Sequence, residues 1–137
     1  MARSDTEVAK EATERFGRGS VDDLLPLIHP EFEATTPPGL AAEPDTYRGH
    51  AGIRRYFDSF YEAMDRVWLE ADDYREIGGK VMVPGRLCSR GRSTGLESSI
   101  EAFMVWTIRD EQIIRAEIYA TEEEALTAIE GAQPSAD

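Results

Sequence analysis

The sequence is poor in the residues that most often build disulfides and metal sites. Its 137 residues include one cysteine, Cys88, and two histidines, His29 and His50. A single cysteine excludes an internal disulfide and gives no sign of an oxidising compartment. Two histidines without ligand spacing leave almost no material for a zinc site, so we expect no metal ion.

Long apolar runs and an excess of basic residues are also missing. No stretch approaches the roughly 20 apolar residues that span a bilayer, and the opening MARSDTEVAK lacks the apolar core of a signal peptide. Lys and Arg total 15 against 27 Asp and Glu, a formal net charge of -12 that repels phosphate backbones and anionic membranes. We therefore expect a cytoplasmic protein with neither a nucleic-acid nor a membrane partner.

Helix signals open the chain. Ser4-Asp5-Thr6-Glu7 has the form of a capping box and precedes apolar residues at i+4 spacing, which predicts a first helix that Gly17 and Gly19 end. Ser20 caps a second helix, which we expect to be short or kinked because Pro26 lies inside it.

The next segment is predicted to leave helical structure. His29 is interpreted as a C-terminal cap of the second helix, and a short strand is expected from Glu31 to Thr36. The segment from Pro37 to Tyr47 contains proline, alanine and glycine, and its length indicates a covering or binding loop.

The strongest pattern in the chain is an amphipathic helix with an aromatic buried side. Its apolar residues recur at the spacing of one helix face, with charged residues opposite; they are Ile53, Tyr56, Phe57, Phe60, Tyr61 and Met64.

After this helix the apolar period changes to two, which predicts a meander of strands. Gly78-Gly79 supplies the positive φ angles of a tight hairpin. A second capping box, Thr121-Glu122-Glu123-Glu124, opens a last helix that Gly131 ends. The predicted strands are Val67 to Ile77, Val81 to Ser89, Ser98 to Ile108 and Ile113 to Ala120.

These elements predict one α+β domain over residues 1–131 and a disordered tail over 132–137. N-terminal helices close over one face of an antiparallel sheet and form an apolar pocket of ligand size. On the long strand Phe103 and Val105 are as apolar as the residues of the opposite face, and helices are expected to cover one face only. We therefore expect a homodimer packed through the outer sheet face, with a solvent-facing patch or a partly covered face as the alternative.

The order of elements resembles the nuclear transport factor 2-like superfamily, most closely its SnoaL-like (polyketide cyclase-like) branch. The residues that carry this resemblance span nearly the whole chain; they are Phe16, Gly19 to Leu25, His29-Pro30-Glu31-Phe32, Tyr47 to Phe57, Gly91 to Gly95 and Glu123 to Leu126. The resemblance implies a curved, cone-shaped, cystatin-like sheet around N-terminal helices, usually in a homodimer. It also implies membership of a superfamily that includes polyketide cyclases, ketosteroid isomerases, epoxide hydrolases and non-catalytic binders.

The catalytic groups known from such families are missing at the matching positions. Thr36 stands where ketosteroid isomerases carry the base, and Met104 stands about where they carry an acidic donor. No Arg-x-Asp of the epoxide-hydrolase type occurs in the predicted strands. Glu117 is the nearest substitute for the late aspartate of SnoaL-type cyclases, although strand parity favours the face away from the pocket.

Several polar and aromatic residues are candidates for the site. The catalytic candidates are His50, at the start of the aromatic helix, and Glu117. The simpler interpretation of His50 is a helix cap, and that of Glu117 is a carboxylate on the outer face of the sheet. Arg86 and Arg90 are able either to orient a ligand oxygen or to pair with surface carboxylates. The full set of substrate-binding candidates is Tyr47, Phe57, Tyr61, Arg86, Arg90, Met104 and Trp106.

Two functional hypotheses follow. The first is an enzyme that acts by general acid/base chemistry on a small apolar, oxygenated substrate such as a polyketide, steroid-like molecule or terpenoid, without metal or organic cofactor. The second is a non-catalytic binder or accessory dimer that keeps the pocket and not the chemistry. The pocket lining discriminates between them: a buried carboxylate or imidazole favours catalysis, and a wholly apolar lining favours binding.

Overall fold

The computed structural model of the chain describes residues 4–35 and 46–132. The helices are α1 (Asp5–Gly17), α2 (Val21–Leu24), α3 (Gly49–Tyr61) and α4 (Glu122–Ala132), and a 3₁₀ turn (Leu25–Leu27) follows α2. The strands are β1 (Ile28–Thr35), β2 (Thr46–Arg48), β3 (Met64–Ala71), β4 (Arg75–Ile77), β5 (Lys80–Gly91), β6 (Glu97–Arg109) and β7 (Gln112–Tyr119). This is the predicted α+β class, with helices against a curved, unclosed sheet.

The described strands form one sheet in the order β2-β1-β7-β6-β5-β3, with β4 also paired to β5. All pairs are antiparallel except β1 with β7, which is parallel. The meander over β5, β6 and β7 is confirmed. The parallel pair is possible because α3 and most of the sheet lie between β1 and β7 in sequence.

Local capping signals are confirmed in detail. The Ser4 hydroxyl accepts from the Glu7 amide at 3.1 Å, and the Glu7 carboxylate accepts from the Ser4 amide at 3.1 Å. At α4 the Thr121 hydroxyl accepts from the Glu124 amide at 3.1 Å. These bonds satisfy amides that have no partner inside the first helical turn.

The hairpin at Gly78-Gly79 is also confirmed. Both residues have positive φ, 58° and 79°, and Ile77 is opposite Lys80. The single strand expected from Val67 to Ile77 is divided, however, into β3 and β4. The Asp72 amide donates to the carbonyl of Pro84 at 2.8 Å, and the Asp73 carboxylate accepts from the Tyr74 amide, so the chain turns between the two strands.

Three boundaries differ from expectation at the ends of helices. His29 is not a helix cap: it lies in β1, where its Nδ1 accepts from the Glu31 amide at 2.9 Å. Met64 begins β3, since α3 ends at Tyr61. Gly131 does not end α4, which continues to Ala132. Residues 36–45, most of the expected loop, and residues 133–137 of the expected tail lie outside the described residues.

The main core lies between the inner face of the sheet and helices α1 and α3. Both helices turn their apolar sides to this face, and within the aromatic stripe Tyr56 and Phe60 pack edge to face at 4.8 Å between ring centres. The inner face is supplied by alternate residues of the long strands; from β5 and β6 these are Val81, Val83, Leu87, Ala102, Met104, Trp106 and Ile108.

A second, smaller core lies on the outer face. Ala125 and Ile129 of α4 cover Met82 and Val105, and Phe103 packs partly against this cluster. The expectation that helices cover only one face of the sheet is therefore wrong, because the C-terminal helix crosses to the other face. The homodimer itself stays a prediction. No helix of the described part has both the length and the apolar character needed to cross a membrane.

The close approach of β3 to β5 at Gly85 generates a stability prediction. A Cβ at Gly85 would lie 2.0 Å from the Glu70 carbonyl oxygen, so Gly85→Ala must move one strand. We expect a loss of at least about 3 kcal/mol in the free energy of unfolding, measured by urea denaturation.

The matched control for this prediction is Gly79→Ala. A Cβ at Gly79 meets nothing within 4 Å. Its cost is limited to the left-handed backbone, about 1–2 kcal/mol. Equal losses for the two variants would contradict the assignment of the larger cost to the contact between strands.

Candidate functional site

The inner core is incompletely filled. Between α1, α3 and the inner face of the sheet lies a cavity with an empty volume of about 700 Å³, a figure that includes the part open to solvent. The described side chains that line it are Ala12, Phe16, Leu24, Ile28, Phe32, Ala34, Ile53, Tyr56, Leu69, Leu87, Ala102, Met104, Trp106, Ile113, Ala116 and Ile118.

Short side chains explain why space is left at this place. Four lining residues are alanines, and they come from four different elements: Ala12 from α1, Ala34 from β1, Ala102 from β6 and Ala116 from β7. Protein interiors are normally packed as densely as organic crystals. Here four of the side chains that face the space are single methyl groups, so the space stays unfilled. The cavity is therefore formed by side-chain size as much as by the curvature of the sheet.

The lining carries no ionisable group apart from the phenol of Tyr56, as far as the described residues go. Burial, and to a lesser extent the neighbouring Tyr47, raises the pKa of the Tyr56 phenol well above its ordinary value. Tyr56 is therefore neutral at every physiological pH. Its hydroxyl and the indole N–H of Trp106 are the strong hydrogen-bond donors that these lining side chains possess.

Two of the predicted substrate-binding residues line the cavity. Met104 and Trp106 are alternate residues of β6 on the inner face, with 2% and 7% of their surfaces exposed. Alternate residues of a strand point to the same face, so both side chains face the cavity, and the side chain of Ala102 does so for the same reason.

Three aromatic candidates are packed in the core beside the cavity rather than among its described lining residues. Phe57 contacts Phe16 edge to face at 5.2 Å and stacks on Tyr61 at 6.2 Å. Tyr47 is fully buried in β2, with the Arg55 guanidinium 4.3 Å from its ring centre and Tyr56 at 5.1 Å. These rings set the position of α3 and of its cavity-lining residues.

Both arginine candidates lie outside the cavity in ion pairs. Arg86 donates to Glu70 at 3.3 Å and to Asp72 at 3.1 Å, and Arg90 donates to Asp65 at 2.8 Å. Hydrogen bonds from Trp68 and Arg86 lower the pKa of the Glu70 carboxyl. The parity of β5 explains the placement, because Leu87 faces the cavity and its neighbour Arg86 faces the opposite side.

The two catalytic candidates are engaged with the protein itself. Glu117 accepts from the Tyr119 hydroxyl at 2.6 Å and lies 3.9 Å from the Lys80 ammonium group. Its neighbours Ala116 and Ile118 line the cavity, so Glu117 lies on the outer face, as its parity indicated. His50 lies in the first turn of α3, with Nε2 2.8 Å from the carbonyl oxygen of Ile28.

The lining residues that the sequence did not predict are mostly aliphatic, and they also include the aromatic Phe16, Phe32 and Tyr56. Their signals were present: Ala12 and Phe16 share a helix face, and Ile113, Ala116 and Ile118 alternate around a bulge. Aliphatic residues at such positions are typical of any core. Whether a core residue borders a cavity or packs against other side chains is seen only in the folded structure. The described residues include no cluster of three or more His, Cys, Asp or Glu suited to a metal ion.

Solved structures similar to this chain have the same fold and diverse descriptions. A nuclear transport factor 2-like protein of unknown function from Burkholderia pseudomallei has a TM-score of 0.74 and 19% identity, covering 93% of this chain and 98% of its own. TerC, crystallised with polyporic acid, has a TM-score of 0.74 and 23% identity, with coverage of 93% and 99%.

A third similar structure is described as a putative SnoaL-like polyketide cyclase from Jannaschia, with a TM-score of 0.65, 17% identity and coverage of 98% and 99%. The comparison with curated proteins gives no match. The family model of the SnoaL-like domain matches residues 9–116, from α1 to β7. The chain therefore belongs to the SnoaL-like domain family, within the nuclear transport factor 2-like fold.

Proposed function

We propose that this protein binds a small, neutral and largely apolar molecule in the cavity between α1, α3 and the sheet. The observation that carries the proposal is the chemistry of the lining, in which aliphatic and aromatic side chains surround the space and no described residue contributes a charge. A concave apolar site with few polar groups is the usual form of a small-molecule site.

The lining selects against ionised ligands. Moving an ionised carboxylate or ammonium group from water into an apolar space costs several kcal/mol unless an opposite charge meets it. The arginines predicted to orient a ligand, Arg86 and Arg90, are paired with carboxylates on the other side of the sheet. A neutral ligand gains about 25 cal/mol for each Å² of apolar surface buried, without this penalty.

Two of the similar structures are described with a small molecule or a small-molecule activity. One of them was crystallised with polyporic acid and another is described as a putative polyketide cyclase. Their identities to this chain support the fold alone, so the ligand class for this protein rests on its own lining. A polyketide, steroid-like molecule or terpenoid fits that lining because such molecules combine apolar ring carbons with a few uncharged oxygens.

The catalytic alternative has one observation in its favour. His50 is anchored to the backbone of Ile28, and Ile28 lines the cavity, so an imidazole lies just behind the wall. General acid/base catalysis requires a group within hydrogen-bond reach of the reacting atoms. Among the described lining residues no carboxylate or imidazole meets this requirement, and binding is therefore the proposal we favour.

A reporter for binding is available in the chain. Trp68 and Trp106 are its two tryptophans, and Trp106 lines the cavity. In a Trp68→Phe variant, we expect the fluorescence of Trp106 to change on titration with a neutral polycyclic ketone. The same ligand is expected to raise the melting temperature, because it binds the folded state only. A full screen of neutral polycyclic compounds without any change in either signal would contradict the proposal.

Filling the cavity provides the second test. Ala116→Leu adds three carbon atoms at the lining, and we expect affinity for the best ligand of the screen to fall at least tenfold. Ala63→Leu makes the same change at an exposed residue and is expected to leave affinity unchanged. Calorimetric titration of both variants gives the comparison, and equal affinities would place the ligand elsewhere.

The response to pH distinguishes binding from imidazole chemistry. Because the Tyr56 phenol has a raised pKa and stays neutral, we expect affinity for a neutral ligand to change less than twofold between pH 5.5 and 9. A mode of binding that depended on a histidine would show a titration in this range. His50→Gln provides the control, since it removes the imidazole and keeps a side-chain amide within reach of the Ile28 carbonyl that Nε2 contacts.

We also propose a homodimer through the part of the outer face that α4 leaves open. The residues it would use are Trp68, half-buried on β3, and the arginine and carboxylate side chains of β3 and β5. Light scattering after size exclusion is expected to give about twice the 15.3 kDa of one chain. A stable monomer at micromolar concentration would exclude this assembly.

A further inference from the structure

Two hydrogen-bond donors on the cavity wall have no acceptor among the described residues. The Tyr56 hydroxyl and the Trp106 indole N–H take part in no hydrogen bond within ranges 4–35 and 46–132. Each residue is 7% exposed, so neither side chain is generally solvated. Buried donors nearly always find a partner, and a donor without one calls for an explanation.

The two donors differ from the sealed polar atoms of the same structure. In the described part, the unpartnered side-chain atoms that are shut off from open space are the hydroxyls of Tyr61 and Thr107. The Tyr56 hydroxyl and the Trp106 N–H are not among them. Both residues line the cavity, and the inference drawn from them rests on that placement.

We infer that Tyr56 and Trp106 determine specificity by donating hydrogen bonds to an uncharged acceptor oxygen of the ligand, such as a ketone or quinone carbonyl. This inference rests on the proposed binding function. An indole N–H donates and never accepts, which favours a carbonyl or ether oxygen over a group that only donates. The raised pKa of the phenol keeps Tyr56 a donor.

The geometry of the wall gives these donors selectivity that the rest of the lining lacks. A hydrophobic pocket discriminates weakly between ligands of equal shape, whereas a site with dedicated hydrogen-bonding groups rejects the analogue that leaves them unpaired. Tyr56 is held by edge-to-face contacts with Tyr47 at 5.1 Å and Phe60 at 4.8 Å, so its hydroxyl is presented by a fixed ring. Trp106 is held in the middle of β6 between Val81 and Ala116.

The test uses two probes of nearly equal shape, fluorene and 9-fluorenone, which differ by one carbonyl. Affinities are measured by calorimetry on the full chain. We expect the wild-type protein to prefer fluorenone, and Tyr56→Phe to weaken fluorenone binding about tenfold while leaving fluorene unchanged. Trp106→Phe also removes ring area, so it is expected to weaken both probes and fluorenone more.

Tyr61→Phe is the matched control. It removes one hydroxyl from the same helix, but that hydroxyl is sealed and unpartnered, so the affinities for both probes are expected to stay at wild-type values. If both probes bind equally and Tyr56→Phe changes neither, the donors do not select the ligand, although the binding function stands. If neither probe binds and the wider screen also gives no ligand, the proposed function itself is wrong.

Discussion

The whole molecule depends on the contact between the aromatic side of α3 and the inner face of the sheet. Ile53, Tyr56, Phe57 and Phe60 recur on one side of that helix, and all four are buried. Alternation along β5 and β6 gives the facing surface its apolar character. Once these two surfaces meet, the outer face and the position of every polar side chain on the strands are determined, since successive residues of a strand point to opposite sides.

That alternation separates charge from the site. Leu87 faces the cavity, while Arg86 pairs with Glu70 and Asp72 on the other side. Likewise Ala116 and Ile118 face inward and Glu117 outward. A chain with a net charge of -12 therefore contains a cavity whose described walls carry no charge. The electrostatic environment that a ligand meets bears no relation to the overall charge, which acts on solubility and encounter instead.

The sequence predicted the fold well because the fold rests on local and periodic signals. The Ser4 capping box, the Gly78-Gly79 hairpin and the aromatic face of α3 each act over a few residues. The parallel pairing of β1 with β7 and the crossing of α4 to the outer face were not predicted. Both depend on where distant segments meet, and Phe103 and Val105 look alike whether a helix or a second subunit covers them.

The site was less predictable because it consists chiefly of size and shape. The catalytic candidates predicted from the sequence were polar, yet His50 and Glu117 form hydrogen bonds with groups of the protein itself. Tyr56 lines the cavity, but in the sequence it was one of several aromatic residues on the same helix face. What makes the cavity is the coincidence of Ala12, Ala34, Ala102 and Ala116 around one space, from elements far apart in sequence. No pattern within any one element records that coincidence.

Those alanines also argue for an occupant. Unfilled apolar space lowers stability, because the atoms around it lose dispersion contacts that a larger side chain would supply. Leucine or valine at one or two of these positions would fill the space with residues common in cores, and such a cavity-filling change is a frequent route to greater stability. A chain shaped only by stability would close this cavity. Its persistence beside two donors that have no acceptor among the described residues is what the proposed ligand, filling the space and accepting their hydrogen bonds, would explain.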